Sequence, residues 1–357
     1  MTETKEIIQL AEAGDAEAQF KYGVMLEEGK VVKRNPILAE KMYKLSEDQG
    51  YVPSMYNHAV LLRDGYDIPK NLPEAARLFK IAADNNDPKA QYNLGLMLMT
   101  GEGVTRDESA AVQYFKLASD QNIIHAQYQY ALALKDGTYI KQNKKKAIEL
   151  LKSSADSGYH RSQAEYGRML LEGEDGLLKN VDEAKKYLEL SAEQKDPKAR
   201  FYLGQIYLTG TSTGSVKKSS KKAAKYFRLA ANGGDPSAMF HYALMLDSGK
   251  GISKDQAEAA SYFKLAADRG YAKAQYNYGV DLAKGIGVKS NLREAAKYVK
   301  LAADQGLPEA QCFYGEFLEQ GIGVQKNTKE AIRYYQLASN QQNEEAKNRL
   351  RNLNRKK

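Results

Sequence analysis

Apolar and small residues recur along this chain with a period of about 36 residues. Each period is marked by a small residue that follows a pair of aromatic or apolar positions. These anchor positions are Gly23, Ala59, Gly95, Ala131, Gly167, Gly204, Ala243, Gly279 and Gly315. A fixed period in this range is typical of stacked arrays, in which each unit buries its apolar face only against its neighbours. The chain is therefore predicted to repeat one structural unit about nine times.

Each unit contains two apolar patterns with helical spacing. The first reads Ala-x-x-Tyr/Phe-x-Tyr/Leu-Gly/Ala, as in Ala90–Gly95, and the second reads Ala-x-x-x-Tyr/Phe-x-Leu-Ala, as in Ala111–Ala118. A glycine six residues after every anchor predicts the end of the first helix. Twelve residues after most anchors stands an N-cap residue for the second helix. These N-cap residues are Asn35, Asn71, Asp107, Asn143, Asp255, Asn291 and Asn327.

The predicted fold class is all-α, a superhelical solenoid of helix-turn-helix repeats of 36–39 residues. We expect one solenoid over 1–357, with an N-terminal capping half-repeat at 1–14, nine repeats at 15–342, and a capping helix with a basic tail at 343–357. The distance between anchors increases only in repeats five and six. The additional residues are assigned to the loops around Glu174-Asp175-Gly176 and Thr211-Ser212-Thr213-Gly214-Ser215, because surface loops accept insertions at little cost.

Three sequence features point to a known family: the Ala-x-x-x-Leu-Gly pattern, the loop glycines of Gly101–Val104 and Gly321–Val324, and the Lys-Leu-Ala-Ala-Asp-Gln-Gly segment that ends at Gly306. With them the chain resembles a Sel1-like repeat protein, a relative of tetratricopeptide repeat proteins, from about Ala11 to Leu350. The resemblance implies an α/α superhelix whose first helices line a concave surface. It also implies a role in holding other proteins in complexes.

Charge and cysteine content bear on the expected partners and on the cellular compartment. The net charge of +8 comes from 53 basic and 45 acidic residues. Two basic clusters, at 217–222 and 352–357, are expected to be a solvated loop and a solvated tail. Nucleic-acid binding is therefore not expected. A single cysteine, Cys312, excludes an intramolecular disulfide. Together with the lack of an apolar leader or a membrane-length apolar run, this predicts a cytoplasmic protein, with the nucleus as an alternative.

Motifs for catalysis and for cofactors are weak in this sequence. The Gly-x-Gly loops lack the strand before them and the Gly-Lys-Ser/Thr ending of a phosphate-binding loop, so hairpin geometry is the preferred explanation. The four histidines fall in four different repeats, which argues against a metal site. Cys312 stands where most repeats have tyrosine or phenylalanine, so a buried thiol is expected. The chain is therefore predicted to have no enzymatic activity, no small-molecule substrate, no cofactor and no metal.

Candidate binding residues lie on the first helices, away from the apolar side. Steps of 100° per residue place the positions six and two before, and one and five after, each anchor on a common stripe. Asparagine and glutamine there can bond to both the N–H and the C=O of an extended peptide. The candidate residues are Asn57, Lys89, Asn93, Gln129, Tyr202, His241, Lys273, Asn277 and Phe313.

Two further features of this stripe shape the prediction. A Lys-x-x-x-Asn spacing at Lys89 and at Lys273 is similar to the carboxylate clamp of some tetratricopeptide proteins, although ordinary solvated or interhelical contacts explain each pair as well. Aromatic residues concentrate towards the C-terminal part of the stripe. Exposed aromatic side chains are typical binding anchors, so the tighter site is predicted in repeats six to nine.

The functional prediction is a scaffold or adaptor that binds other proteins or peptide segments on the concave face. The alternative from another class is a regulatory, activating subunit or repeat region of an enzyme such as a kinase or a chitin synthase. Self-association is a further possibility. Nucleic-acid binding through the basic clusters is the weakest alternative, and it predicts a steep loss of affinity with salt.

Overall fold

Helices account for all the regular secondary structure in the described part of the computed structural model, residues 2–211 and 214–355. This confirms the predicted all-α solenoid. The twenty helices are α1 (Thr2–Glu12), α2 (Ala16–Glu28), α3 (Pro36–Glu47), α4 (Val52–Asp64), α5 (Leu72–Asp84), α6 (Pro88–Thr100), α7 (Glu108–Asp120), α8 (Ile124–Asp136), α9 (Lys144–Asp156), α10 (His160–Glu172), α11 (Val181–Glu193), α12 (Pro197–Thr209), α13 (Ser220–Asn232), α14 (Pro236–Ser248), α15 (Gln256–Asp268), α16 (Ala272–Lys284), α17 (Leu292–Asp304), α18 (Pro308–Gln320), α19 (Thr328–Asn340) and α20 (Glu344–Arg355).

The chain divides into two compact units, Met1–Ser162 and Gln163–Lys357. Consecutive helices pack against each other from α1 to α9 in the first unit and from α11 to α20 in the second. Even-numbered helices from α2 to α18 are the first helices of the repeats, and odd-numbered helices from α3 to α19 are the second helices. In the described ranges, none of these helices combines the length and apolar composition that a bilayer crossing requires.

The helix boundaries follow the predicted capping residues. All seven predicted N-cap residues accept a hydrogen bond from the backbone N–H three residues later, as Asp107 does from Ala110 at 2.9 Å. Asn180 and Ser219 perform the same role in repeats five and six. They were not predicted, because the longer loops at 173–180 and 210–219 displace them from the twelve-residue spacing. Ser212 and Thr213 of the predicted insertion lie outside the described residues.

Each hairpin is held by a close contact at its anchor. A Cβ added to Gly95 would lie 2.7 Å from the Phe115 ring, and one added to Gly315 would lie 2.6 Å from the Tyr335 ring. Both rings are almost fully buried. Since van der Waals contact needs well over 3 Å, the anchor must be small wherever the facing side chain is large. At these two hairpins the aromatic ring of the second helix thus fills the space that the glycine leaves, while Leu188 and Val299 do so at Gly167 and Gly279.

The Gly-x-Gly loops have a packing function. Gly323 adopts a φ of 66°, and a Cβ there would overlap the backbone carbonyl of Leu292, the first residue of α17. Gly103 approaches Leu72 at the start of α5 in the same way. The second glycine of the motif therefore lets the loop of one repeat lie against the second helix of the preceding repeat. This agrees with hairpin geometry as the reason for these motifs.

Buried amides connect successive helices. Gln91, which is 2% exposed, donates to the Ala83 carbonyl at the end of α5 and accepts a 2.9 Å hydrogen bond from Gln121 at the end of α7. In the second unit, Gln275 accepts a 2.7 Å bond from Gln305. Buried amides need such partners, because an unpaired one costs roughly 1–3 kcal/mol. These bonds fix how one repeat lies on the next.

We predict that Gly323→Ala lowers the free energy of unfolding by about 2–4 kcal/mol, from its positive φ and the overlap with Leu292. Gly306→Ala is the matched control, because Gly306 also has a positive φ but no atom lies within 4 Å of its added Cβ. The control should lose only about 1 kcal/mol. Urea unfolding followed by circular dichroism measures both, and equal losses would contradict the packing role of Gly323.

A pH-dependent stability is expected from Asp281. Burial and the neighbouring Asp247 carboxylate raise the pKa of Asp281 to about 7. An acid whose pKa is raised on folding stabilises the fold below its unfolded pKa of about 4, and loses that contribution as the pH rises to 7. Asp281→Asn should therefore stabilise the protein by roughly 1–2 kcal/mol at pH 8, after allowance for its partial exposure, and by little at pH 4.

Asp268→Asn should change the stability in the opposite direction to Asp281→Asn. Hydrogen bonds from Lys264 and Tyr298 lower the pKa of Asp268, so its charge stabilises the fold above the usual carboxyl range. This variant should be less stable than wild type at neutral pH, and the difference should shrink in acid. Thermal unfolding of both variants between pH 4 and pH 8 checks the two signs, and a pH-independent effect at Asp281 would show that its carboxylate is not destabilised.

Candidate functional site

In the first unit, the candidate residues are half-buried amides and one exposed lysine. Asn57, Asn93 and Gln129 are half-buried, and Lys89 is exposed. Asn93 accepts a 2.6 Å hydrogen bond from Arg63 of the preceding first helix and donates to the Lys89 carbonyl at 2.9 Å. The amide of Asn93 therefore takes part in an interhelical contact, which is the alternative weighed for the Lys-x-x-x-Asn pairs. Lys89 keeps its ammonium group in solvent.

In the second unit, the candidates include three aromatic side chains that are partly buried against other rings. Tyr202 lies edge-on to Phe201 with ring centroids 5.3 Å apart, and burial raises its pKa to about 12. His241 stacks on Phe227 at 5.2 Å, and burial lowers its pKa. The ring packing therefore holds these side chains in fixed orientations.

The remaining candidates of the second unit lie further along the chain. Phe313 packs against Phe317 at 4.7 Å and against Tyr276 at 6.0 Å. Asn277 is half-buried, and Lys273 is exposed. Burial is the main cause of the lowered pKa of His241, and the positive charge of Lys273 lowers it further. The two side chains are therefore close enough to interact electrostatically.

A hollow of about 360 Å³ opens next to His241. Its lining comes from the C-terminal ends of the first helices α10 and α12, from His241 of α14, and from Lys179 and Val181 at the start of α11. The lining residues are Leu171, Glu172, Lys179, Val181, Gln205, Ile206, Leu208, Thr209, Gly210 and His241. Four lining residues stand at the positions of the predicted stripe, one or five residues after an anchor or two before it: Glu172, Gln205, Thr209 and His241. The predicted stripe therefore contributes to this hollow. The hollow combines apolar walls with amide, hydroxyl and carboxylate groups.

An ion cluster lies beside this hollow and was not predicted. Arg168 donates to Glu165 at 2.9 Å, to Glu174 at 2.6 Å and to Glu172. The Arg168 side chain is 15% exposed. Burial and the nearby Glu174 raise the pKa of Glu172. The sequence signal was available, since Glu165, Arg168 and Glu172 lie three and four residues apart on one helix face.

The one cysteine, Cys312, is part of the packed interior and lies next to two glutamates. Cys312 is 4% exposed, as predicted, and burial raises its pKa to about 12, so the thiol stays protonated. It lies with Glu316 and Glu345 in the one three-residue grouping of potential metal ligands found among the described residues. Arg349 pairs with Glu316 at 2.7 Å and with Glu345 at 3.5 Å, so a cation already lies against both carboxylates. The geometry therefore fits an ion pair next to a buried thiol.

Histidines are closer together than their sequence spacing suggested. His125 and His160, from neighbouring repeats, both contact the Tyr159 ring, with centroid distances of 4.5 and 5.3 Å. Burial lowers the pKa of His125, with smaller contributions from His160 and Arg161. The stacking of consecutive repeats explains this proximity, which periodic spacing alone does not reveal.

His58 forms a buried pair with Glu47. His58 Nδ1 lies 2.8 Å from Glu47 Oε2, and the two side chains are 5% and 8% exposed. Its Nε2 atom has no hydrogen-bond partner among the described residues and lies 4.0 Å from Glu40 Oε1. A buried carboxylate depends strongly on such a partner. The pair connects the second helix of one repeat with the first helix of the next.

We expect His58→Leu to destabilise the protein by about 3 kcal/mol, because Glu47 would lose its buried partner. The double variant His58→Leu/Glu47→Leu should recover at least half of this loss, since it removes the uncompensated carboxylate. Urea unfolding of wild type, both single variants and the double variant gives the coupling free energy. Strictly additive losses would show that the two side chains do not form an energetic pair.

The class of protein is established by comparison with known families. The Sel1 repeat model matches nine consecutive segments and covers most of the chain, so the chain belongs to the Sel1 repeat family. The matched segments are residues 16–51, 52–87, 88–123, 124–159, 160–196, 197–235, 236–271, 272–307 and 308–343. Proteins built from this repeat are typically interaction scaffolds and are generally not enzymes.

Solved structures support the same fold. A Sel1 repeat protein from Oxalobacter formigenes is 26% identical, with a TM-score of 0.62 over 88% of this chain and 90% of that chain. A protective antigen of uropathogenic Escherichia coli with an SLR fold is 25% identical, with a TM-score of 0.52 over 99% and 91% of the two chains. A comparison with curated proteins gave no match.

Proposed function

We propose that this chain is a non-enzymatic scaffold that binds extended segments of partner proteins on the side formed by the first helices. The observation that carries the proposal is the hollow beside His241, where three first helices place apolar walls and hydrogen-bonding side chains together. The Sel1 repeat fold is typical of protein-interaction scaffolds, which supports the proposal. The family resemblance predicts that this side is concave.

The chemistry of the second unit suits an extended peptide. Gln205 and Thr209 offer donors and acceptors for a peptide backbone, while Leu171 and Leu208 provide an apolar surface for a side chain. Tyr202 is half-buried and rigid, and such aromatic side chains are frequent binding anchors. We therefore place the tighter site in repeats six to nine, with His241, Asn277 and Phe313 as further binding residues.

The first unit would contribute a weaker part of the same surface. Asn57, Asn93 and Gln129 present amides that are already partly occupied by neighbouring side chains or half-buried. A partner must displace or share these contacts, which reduces the net gain of each hydrogen bond. Lys89 and Lys273 add charge at the edge of the surface. We also propose that the scaffold works in the cytoplasm, since a reducing compartment suits a single buried thiol.

Affinity capture from a reducing cell lysate, with identification of partners by mass spectrometry, tests the proposal. Tyr202→Ala/Asn277→Ala should lose specific partners of the wild type. Truncation of one anchoring aromatic residue commonly costs about 2 kcal/mol or more, so the loss should be at least tenfold for direct partners. Tyr202→Phe should retain them, because the ring makes most of the contact.

Lys186→Ala/Lys297→Ala is the control, since both lysines are exposed on second helices. This variant should capture the same partners as the wild type. Identical partner lists for all variants would contradict binding by the first helices. Capture of an enzyme whose activity rises with the added scaffold would instead favour the regulatory-subunit alternative.

A further inference from the structure

A groove recurs on the side of the repeats formed by the second helices. A second helix, the first helix of the next repeat and its Gly-x-Gly loop form the walls. The groove is found at α5, α13 and α17, with volumes of about 350, 640 and 540 Å³. In all three, the positions two and five residues after a buried alanine are basic. These pairs are Arg77 and Lys80, Lys225 and Arg228, and Lys297 and Lys300.

At α5 and α17 the helix itself supplies acidic partners. Arg77 pairs with Glu74 at 2.6 Å, and Lys80 pairs with Asp84 at 2.7 Å. In α17, Lys300 pairs with Asp304. These carboxylates reduce the charge that the two grooves offer to a partner.

The groove at α13 differs in charge. This helix contains Lys221, Lys222, Lys225 and Arg228 and has no acidic residue. None of these four side chains forms an ion pair within the described part of the chain. Asn232 occupies the position that aspartate has in α5 and α17, and its Oδ1 atom lies 3.5 Å from the Tyr262 hydroxyl. α13 therefore lacks the carboxylate that pairs with the equivalent basic residue in α5 and α17.

The position of these cations corrects one expectation from the sequence. The cluster 217–222 was assigned to a solvated loop, but Ser219 is an N-cap and Ser220–Lys222 form the first turn of α13. Two of its lysines therefore lie on the groove wall. Lys222 also lies over the Tyr207 ring, 5.0 Å from its centroid, which fixes part of the wall. The last two residues of the other cluster, 356 and 357, lie outside the described residues.

The floor of the groove selects the kind of partner. Ala224, Tyr242 and Ile252 provide a mainly apolar floor. The Tyr242 ring packs edge-on against Tyr262 at 4.9 Å and is 5% exposed, so it has no free face on which a nucleobase could stack. Glu258 and Arg228 both lie near Tyr242: after burial, the Glu258 carboxylate raises the pKa of Tyr242, and Arg228 lowers it. An apolar floor with a cationic wall fits a peptide better than a nucleic acid.

We propose that the groove at α13 binds an acidic peptide segment of a partner protein. An apolar side chain of the peptide enters the groove and contacts mainly the half-buried Ile252. Flanking carboxylates of the peptide pair with Lys225 and Arg228. This surface lies on the second helices, whereas the proposed scaffold function uses the first helices, so either can fail without the other.

The test uses the full chain and a fluorescein-labelled peptide, Glu-Glu-Glu-Leu-Glu-Glu-Glu, in fluorescence anisotropy at low salt. Lys225→Ala/Arg228→Ala should weaken binding about tenfold, as expected for the loss of two partly exposed charge pairs. Lys297→Ala/Lys300→Ala removes the same charge from the equivalent groove at α17 and should change affinity less than about twofold. Lys225→Gln/Arg228→Gln keeps the aliphatic stems and should behave as the alanine variant does.

Four outcomes would overturn the proposal. Absence of peptide binding to the wild type excludes the groove as an acidic-peptide site. Equal losses in the α13 and α17 variants assign the binding to overall charge. Tighter binding of a single-stranded oligothymidylate that depends on the same α13 residues assigns the groove to nucleic acid. A matched peptide with glutamine in place of glutamate should not bind, and its retained binding would contradict the role of charge.

Discussion

The repeat depends on the close approach of a first helix to the second helix of its own hairpin. At Gly95 and Gly315 the facing rings of Phe115 and Tyr335 leave no room for a Cβ atom. A small anchor is therefore required at these hairpins, and glycine is also closely approached at Gly167 and Gly279, where the facing side chains are Leu188 and Val299. Buried alanines and single rings give each hairpin only a small apolar interface. Its stability must come from contacts with neighbouring hairpins, as in other repeat proteins.

Polar bonds between repeats complement these small apolar contacts. Asp304 accepts hydrogen bonds from Lys300 of its own helix and from the Tyr334 hydroxyl of the next repeat at 2.7 Å. Gln311 accepts a 3.0 Å bond from Gln341. Apolar surfaces can slide against each other at little cost, whereas buried hydrogen bonds are directional and penalise misalignment. The polar bonds therefore determine how one hairpin is placed on the next.

Two repeats differ from the others in the arrangement of their charged residues. Arg168 pairs with two glutamates of its own helix α10 and with Glu174 of the following loop, and α13 contains no acidic residue. Neither arrangement is needed for the hairpin, since other repeats fold without it. The first lies beside the hollow at His241, and the second forms a cationic groove on the second helices. The two surfaces proposed for this chain therefore differ in chemistry and in the helices that form them.

The sequence by itself determined the hairpins, because helix caps, anchors and loop glycines act over a few residues. The spacing predicted the N-cap at Asp107 correctly, and it missed Ser219 only where an insertion changed the count. Tertiary structure alone decided which side chains from different helices meet. Asn93 bonds to Arg63, thirty residues away, and His58 finds Glu47 on another helix. Such contacts depend on how hairpins stack, and periodic spacing within one chain carries no direct measure of that geometry.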